Sequence, residues 1–226
     1  MTERFAVAIP AFEAVASIAT VVRRAQAMGV PVVVVDDGSG DGTGDAARAC
    51  GVPVLSNPVN LGKGRALKSA FDHLFANGYD AVVTIDADGQ HPPEEMPKLL
   101  APWREGADLV LGTRAHLYGA MGCVRATSNG TSSWLISHVA GAQLPDCQTG
   151  YRLYTRRLIE TIGFPEPRFE AESAVLVRAV RKGFRVVGVP VHLDEADGRS
   201  TSHYRPIVDS LRIAGAVARA RFEAPS

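Results

Sequence analysis

Asp86, Asp88 and Gln90 stand at alternate positions in TIDADGQHPPEEM, directly after the apolar stretch 81–85. In an extended backbone alternate side chains point to one face, so two carboxylates and an amide converge there. Carboxylates held that close repel each other unless one takes up a proton or a cation lies between them. An all-oxygen set selects a hard ion, Mg2+ or Mn2+, whose shell is completed by water or by the phosphate oxygens of a substrate. The same Asp-x-Asp-Gly pattern also suits a plain turn, and this stretch alone leaves both readings open.

Two further loops carry chemistry of a compatible kind. DDGSGDGT, residues 36–43, follows a run of valines, and its three glycines permit a tight turn and close approach of backbone to a ligand. Asp37 there could accept from the N–H groups of a nucleobase, or be a solvated acid in a turn. The loop has neither the dinucleotide fingerprint nor the P-loop lysine pattern. In NLGKGRALKSAF, residues 60–71, Lys63 falls at a helix start between two glycines. A helix N-terminus attracts anions, and a lysine there adds a full charge suited to a diphosphate. By dipole logic alone a lysine is misplaced at that end.

The elements that must position these loops are readable from the apolar pattern. Strands are expected at Phe5 to Ile9, Pro31 to Asp36, Val52 to Ser56, Asp80 to Asp86 and Asp108 to Arg114, alternating with helices near residues 15–27 and 63–77. Unbroken valine runs suit strands buried on both faces, and strand–helix alternation argues for right-handed βαβ units. In such sheets ligands sit beyond the carboxyl ends of the strands, which is where the polar loops fall. Beyond about residue 119 the pattern is less regular. Helices are expected near 128–140, 170–182 and 206–221, and strands near 151–154 and 184–191.

Bulk properties narrow the class. A chain of 226 residues with 46% hydrophobic content and no internal repeat suits one α/β domain with a large core. Twenty-four basic residues balance twenty-four acidic ones, which removes the bulk electrostatic case for nucleic-acid binding. Three widely spaced cysteines form no disulfide pattern and suit a reducing cytoplasm. No stretch reaches the roughly 18 uninterrupted apolar residues of a membrane span, so membrane contact is expected to be peripheral.

Taken in order, AIPAFE, VVVVDDGSGDGT, NLGKGRALKSAF, TIDADGQHPPEEMPKL, LVLGTR, DCQTGYRLYTR and VVGVPV resemble the family 2 glycosyltransferases of the GT-A fold. More narrowly they are similar to the dolichyl-phosphate mannose synthase and polyprenyl-phosphate glycosyltransferase group, over residues 5–215. The resemblance implies a Rossmann-like, mostly parallel sheet flanked by helices, in one catalytic domain over 1–226. About 1–115 would bind the nucleotide sugar and about 116–226 the acceptor. It implies donor binding by Pro10, Phe12, Glu13, Asp37, Lys63, Asp86, Ala87 and Asp88, with Arg199 and Arg205 of a closing basic loop. Asp86, Asp88 and Gln90 would hold Mg2+ or Mn2+. On the acceptor side, Arg114 and Arg125 would meet the reacting phosphates, which two arginines match bidentately, and Gln148 would lie beside the transferred sugar. Asp88, Arg114, Gln148 and Glu170 are the implied catalytic residues, although Glu170 and Glu172 are equally well read as acids favoured at a helix start.

The expected activity is metal-dependent, inverting transfer of a hexose from a nucleotide diphosphate sugar, GDP-mannose or UDP-glucose in type, to polyprenyl phosphate. A phosphate acceptor is already an anion and needs no general base. Transfer to a hydroxyl of a glycolipid, polysaccharide or small molecule is the second reading. A non-catalytic nucleotide-sugar-binding module is the third, because this chain has Pro10, Ala11, Phe12, Glu13 and Ala14 where the family usually has Pro-x-Tyr-Asn-Glu. Arg205, Arg212 and Arg219 recur every seven residues beside Val208, Leu211, Gly215 and Ala218. That stripe could rest on anionic lipid at the inner face of the cell membrane, or be a solvated face.

Overall fold

The computed structural model describes residues 4–113, 136–144, 146–194 and 206–223. Seven strands form one sheet in the order β3-β2-β1-β4-β6-β5-β7. They are β1 (Phe5–Ala11), β2 (Val32–Asp36), β3 (Val54–Ser56), β4 (Ala81–Thr84), β5 (Leu109–Thr113), β6 (Arg152–Thr155) and β7 (Val186–Pro190). All neighbouring pairs are parallel except those of β6, which runs antiparallel to both β4 and β5. The helices described from end to end are α1 (Ile18–Ala27), α2 (Thr43–Arg48), α3 (Lys63–Ala76), α4 (Met96–Arg104), α5 (Arg156–Ile162), α6 (Glu170–Arg181) and α7 (Pro206–Phe222). The expected mostly parallel α/β sheet is therefore present.

Successive strand residues feed opposite faces. Val7, Ile9, Val32, Val34 and Val83 join Val21 of α1 and Leu99 of α4 in one core. Ala6, Ala8, Val33, Val35 and Val82 join Leu67 and Phe71 of α3, Val175 of α6 and Ala216 of α7 in the other. Every residue of β2 is buried, which explains its lack of alternation. The helix expected from Val15 begins at Ile18, and a single 3-10 turn, Pro93–Glu95, leads into α4. The short helices α2 and α5 occupy stretches that the apolar pattern leaves as loop. Of the helix expected at 128–140, residues 136–140 are helical and the remainder lies outside the described residues.

Candidate functional site

The carboxyl ends of β1, β2 and β4 open onto a cleft of about 520 Å³. Pro10 and Phe12 line it from β1 and its loop, Asp37 from the loop after β2, and Asp86, Ala87 and Asp88 from the loop after β4. Lys63 reaches it from the start of α3. These are seven of the expected donor-side residues, brought to one rim by three parallel strands and a helix. The wall also includes Asn60, Arg168, Phe169, Asp209 and Arg212, so residues beyond 116 share it with the first half of the chain.

Asp37 is almost fully buried, and its carboxylate is engaged by the chain itself. Oδ1 accepts from Asn57 Nδ2 at 2.7 Å and Leu61 N at 3.0 Å, and Oδ2 accepts from Gly62 N at 2.8 Å. The anion at the approach to α3 is thus supplied by the protein, and Asp37 shapes the lysine loop. Arg65 N donates to Pro167 O at 3.0 Å, which engages another N–H of the first turn of α3. Glu13 also serves the backbone: Oε1 accepts from Gly40 N at 2.7 Å, while Glu13 N donates to Ser39 Oγ at 3.0 Å. It does so at φ 51°, a left-handed conformation that a side-chain-bearing residue adopts only when its surroundings impose it. Asp41 completes the clamp by accepting from Val15 N and from both the N–H and hydroxyl of Thr43.

Lys63 lies between two carboxylates. Its Nζ is 2.7 Å from Asp86 Oδ1 and 2.9 Å from Glu172 Oε2, the latter from the first turn of α6. Burial works against the charged form, but the charges of Asp86 and then Glu172 outweigh it and hold the ammonium above the ordinary lysine value. The positive charge that seemed misplaced at a helix start is thereby neutralised locally. Behind Glu172 stands Arg152, fully buried on β6. Its guanidinium donates to the carbonyls of Thr149, Cys147 and Glu172 at 2.7, 2.8 and 2.6 Å, and Nε lies 3.9 Å from Glu172 Oε1. Thr84 Oγ1 donates to Gly150 O at 2.9 Å, so the turn at 148–150 is tied to the end of β4 as well.

The expected trio of metal ligands divides. Asp86 and Asp88 are both on the cleft wall; Gln90 is not among the wall residues and takes part through its backbone, its N–H donating to Asp88 Oδ1 at 3.0 Å. Among the described residues no group of three acidic, histidine or cysteine side chains forms a ready metal cage. Two cleft-facing carboxylates, one already carrying a cation, are nevertheless a donor set that fits a hard divalent ion. Gln148 is half-buried, with its N–H donating to Asp146 Oδ1 at 3.2 Å, and is not a wall residue. Glu170 is buried at the first turn of α6, and its Oε2 has no hydrogen-bond partner. Arg114, Arg125, Arg199 and Arg205 lie outside the described residues.

Arg168 and Arg212 bring cations to the cleft that motif reasoning did not assign to it. Arg168 sits in no recognisable pattern. Arg212 belongs by its seven-residue spacing to a surface stripe and is exposed, and it also lines the cleft and donates to the buried Asp209 at 3.3 Å. Glu172 and Arg152 are likewise part of the site's support; Arg152 stands within the quoted DCQTGYRLYTR motif without a role read from it, and Glu172 looks like any acid at a helix start.

A mostly parallel sheet with a cleft at the carboxyl ends of its strands, lined by an acidic loop, a lysine and two arginines, is an α/β architecture whose open edge is where ligands bind in such sheets. The family model described as glycosyl transferase family 2 matches residues 6–163, and the chain belongs to that family of glycosyltransferases. The polyprenol monophosphomannose synthase of Mycolicibacterium smegmatis is 33% identical over 217 residues, covering 87% of this chain and 79% of that protein. The undecaprenyl-phosphate mannosyltransferase of Micrococcus luteus is 37% identical over 178 residues, 74% of this chain and 72% of the relative. Among solved structures, glucosyl-3-phosphoglycerate synthase from Mycobacterium tuberculosis, crystallised with Mn2+, UDP-glucose and phosphoglyceric acid, superposes with a TM-score of 0.74 at 23% identity. That likeness covers 99% of this chain and 81% of the other and concerns the fold.

Proposed function

We propose that the protein is an inverting, metal-dependent hexosyltransferase that moves a sugar from a nucleotide diphosphate donor to a polyprenyl phosphate. The observation that carries the reading is the juxtaposition of Asp86, Asp88, Lys63, Arg168 and Arg212 on one cleft wall. Two relatives with polyprenol or undecaprenyl phosphate in their names support the acceptor class. The base and sugar of the donor are left as GDP-mannose or UDP-glucose in type.

In this reading the nucleoside end of the donor lies against Pro10 and Phe12, and its phosphates face Lys63, Arg168 and Arg212. Asp86 and Asp88 would hold Mg2+ or Mn2+, which supplies positive charge to the departing diphosphate. The bond from the anomeric carbon to the diphosphate oxygen breaks with its electron pair on that oxygen. An oxygen of the acceptor phosphate forms the new bond from the opposite face, and no proton has to move. Preorganised cations stabilise the growing negative charge without reorganising during the step. Arg114 and Arg125, with Gln148, are proposed to hold the acceptor, and Arg199 and Arg205 to close over the donor. The buried, unpartnered Oε2 of Glu170 favours one second reading: a general base for a hydroxyl acceptor.

The proposed site of action is a membrane surface, because the acceptor is a lipid. Among the described residues no helix is long and apolar enough to cross a bilayer. Contact is assigned to α7, on which Leu211 and Phe222 are 70% and 83% exposed.

The test is hexose transfer from GDP-mannose and UDP-glucose to undecaprenyl phosphate, with and without Mn2+. Asp88→Ala should lower kcat/KM about a hundredfold or more, as loss of one charge-stabilising group does elsewhere. Transfer that persists without polyprenyl phosphate and requires a hydroxyl compound would replace the acceptor assignment. Donor binding without any transfer would leave the non-catalytic module.

A further inference from the structure

We propose that Glu172 is a positioning residue for the cleft: it shares the Lys63 ammonium with Asp86, making Lys63 the resident cation on that carboxylate until a divalent ion takes it over. Its bearing on catalysis rests on the transferase reading above; its bearing on ion binding does not. Glu172 is not itself a wall residue and acts through Lys63. The geometry is a chain of alternating charge, Asp86, Lys63, Glu172, Arg152, in which two acids meet two bases. A divalent ion held by Asp86 and Asp88 would add positive charge beside an ammonium that lies 2.7 Å from Asp86 Oδ1. Two cations on one carboxylate repel, which would loosen the hold of Lys63 on Asp86.

Glu172 is built to receive it. Its Oε2 already accepts from Lys63 at 2.9 Å, while its buried Oε1 has no hydrogen-bond partner. An ammonium has three donors, so the spare oxygen can take the one released from Asp86. Arg152 fixes the carboxylate for this role by gripping the Glu172 backbone carbonyl at 2.6 Å. Without Glu172 the lysine has Asp86 as its remaining anionic partner and competes harder with the ion.

The experiment is a Mn2+ titration of the full chain followed by electron paramagnetic resonance, with the metal alone and no donor or acceptor. Lys63→Met should tighten Mn2+ binding and Glu172→Gln should weaken it, each by roughly tenfold, the scale of coupling between contacting groups. The double variant decides between mechanisms. If Glu172 acts through Lys63, Glu172→Gln changes nothing once Lys63 is methionine. If it acts as a remote negative charge, it weakens binding by the same factor in both backgrounds, and the proposal is overturned. Unaltered Mn2+ binding in Lys63→Met overturns it too. Should Lys63→Met fail to fold, Lys63→Gln keeps a hydrogen-bonding group between the carboxylates and carries the same expectation. Because no transfer is measured, failure of the glycosyltransferase assignment and failure of this proposal are separate results.

Discussion

A methyl group built on Gly150 would lie 2.1 Å from Asp86 Oδ2 and 2.6 Å from Oδ1, so the Asp86 carboxylate rests directly on backbone. Gly150→Ala should push that carboxylate off Lys63 and cost about 1–3 kcal/mol as an overpacked site. The expected result is a fall in thermal midpoint of a few degrees with a disproportionate loss of transfer, on the order of a hundredfold in kcat/KM. A full-strength transfer rate in the folded variant would show that the Asp86 position does not matter. The types and spacing of Asp86, Asp88 and Lys63 made them legible as a charged site in the sequence. Their partners were not legible, because Glu172 meets Lys63 through the fold and resembles any acid at a helix start. Asp37 reaches the expected rim, but its further task of tying down residues 57, 61 and 62 was not legible, because two of its three donors are backbone N–H groups, which leave no trace in the amino-acid pattern.

The pairing of α6 with α7 holds the cleft wall that carries Arg212, and one side chain ties them at the far end. Arg178 forks to Glu166, with Nη1 2.9 Å from Oε2, and to Glu223 just past α7, with Nε 2.6 Å from Oε2. Arg178 and Glu166 are both buried. Arg178→Met leaves Glu166 a buried charge without its partner, which should cost about 3–5 kcal/mol in urea unfolding. Hydrogen bonds from Arg178 also hold the Glu223 carboxyl below its ordinary range. A group whose folded pKa is depressed stabilises at neutral pH and loses that contribution as acid protonates it. The wild type should therefore lose stability below about pH 4.5, near the free carboxylate value, and Arg178→Met should lose less over the same interval. At this scale the sequence was informative about long apolar-faced helices and buried strands. It was silent on α2 and α5, of 6 and 7 residues, which are too short to establish a period. Nor could it reveal that β6 enters antiparallel, since strand direction is decided by the path of the connection.

Over the whole molecule, twenty-four acids and twenty-four bases cancel, and bulk charge therefore says nothing of where a surface is polarised. The fold resolves it. On α7 Leu211, Gly215, Ala218 and Phe222 fall within one narrow sector, since eleven residues complete about three turns. Leu211, Ala218 and Phe222 are exposed, whereas Ala216, Val217 and Ala220 of the same helix are buried against the core. Arg212 and Arg219 flank the exposed sector on one side and Arg221 on the other, an arrangement that would suit the proposed contact with a lipid interface. Each arginine near an anionic surface contributes about 1 kcal/mol, less for Arg212, which shares its charge with Asp209. Because Arg212 also lines the cleft, a bilayer seated on this face would present a lipid phosphate close to the proposed donor site. In co-sedimentation the protein should bind vesicles containing phosphatidylglycerol about tenfold more tightly than neutral ones, with the difference shrinking as salt is added. The double substitution Leu211→Asp and Phe222→Asp should abolish that binding while leaving the thermal midpoint within a degree or two, because both side chains are exposed. Transfer to a short-chain, water-soluble polyprenyl phosphate should survive the substitution, and transfer to the same acceptor embedded in vesicles should fall with the binding. Equal binding to neutral and anionic vesicles, or binding indifferent to the two aspartates, would remove α7 as the docking face and send the search to another surface.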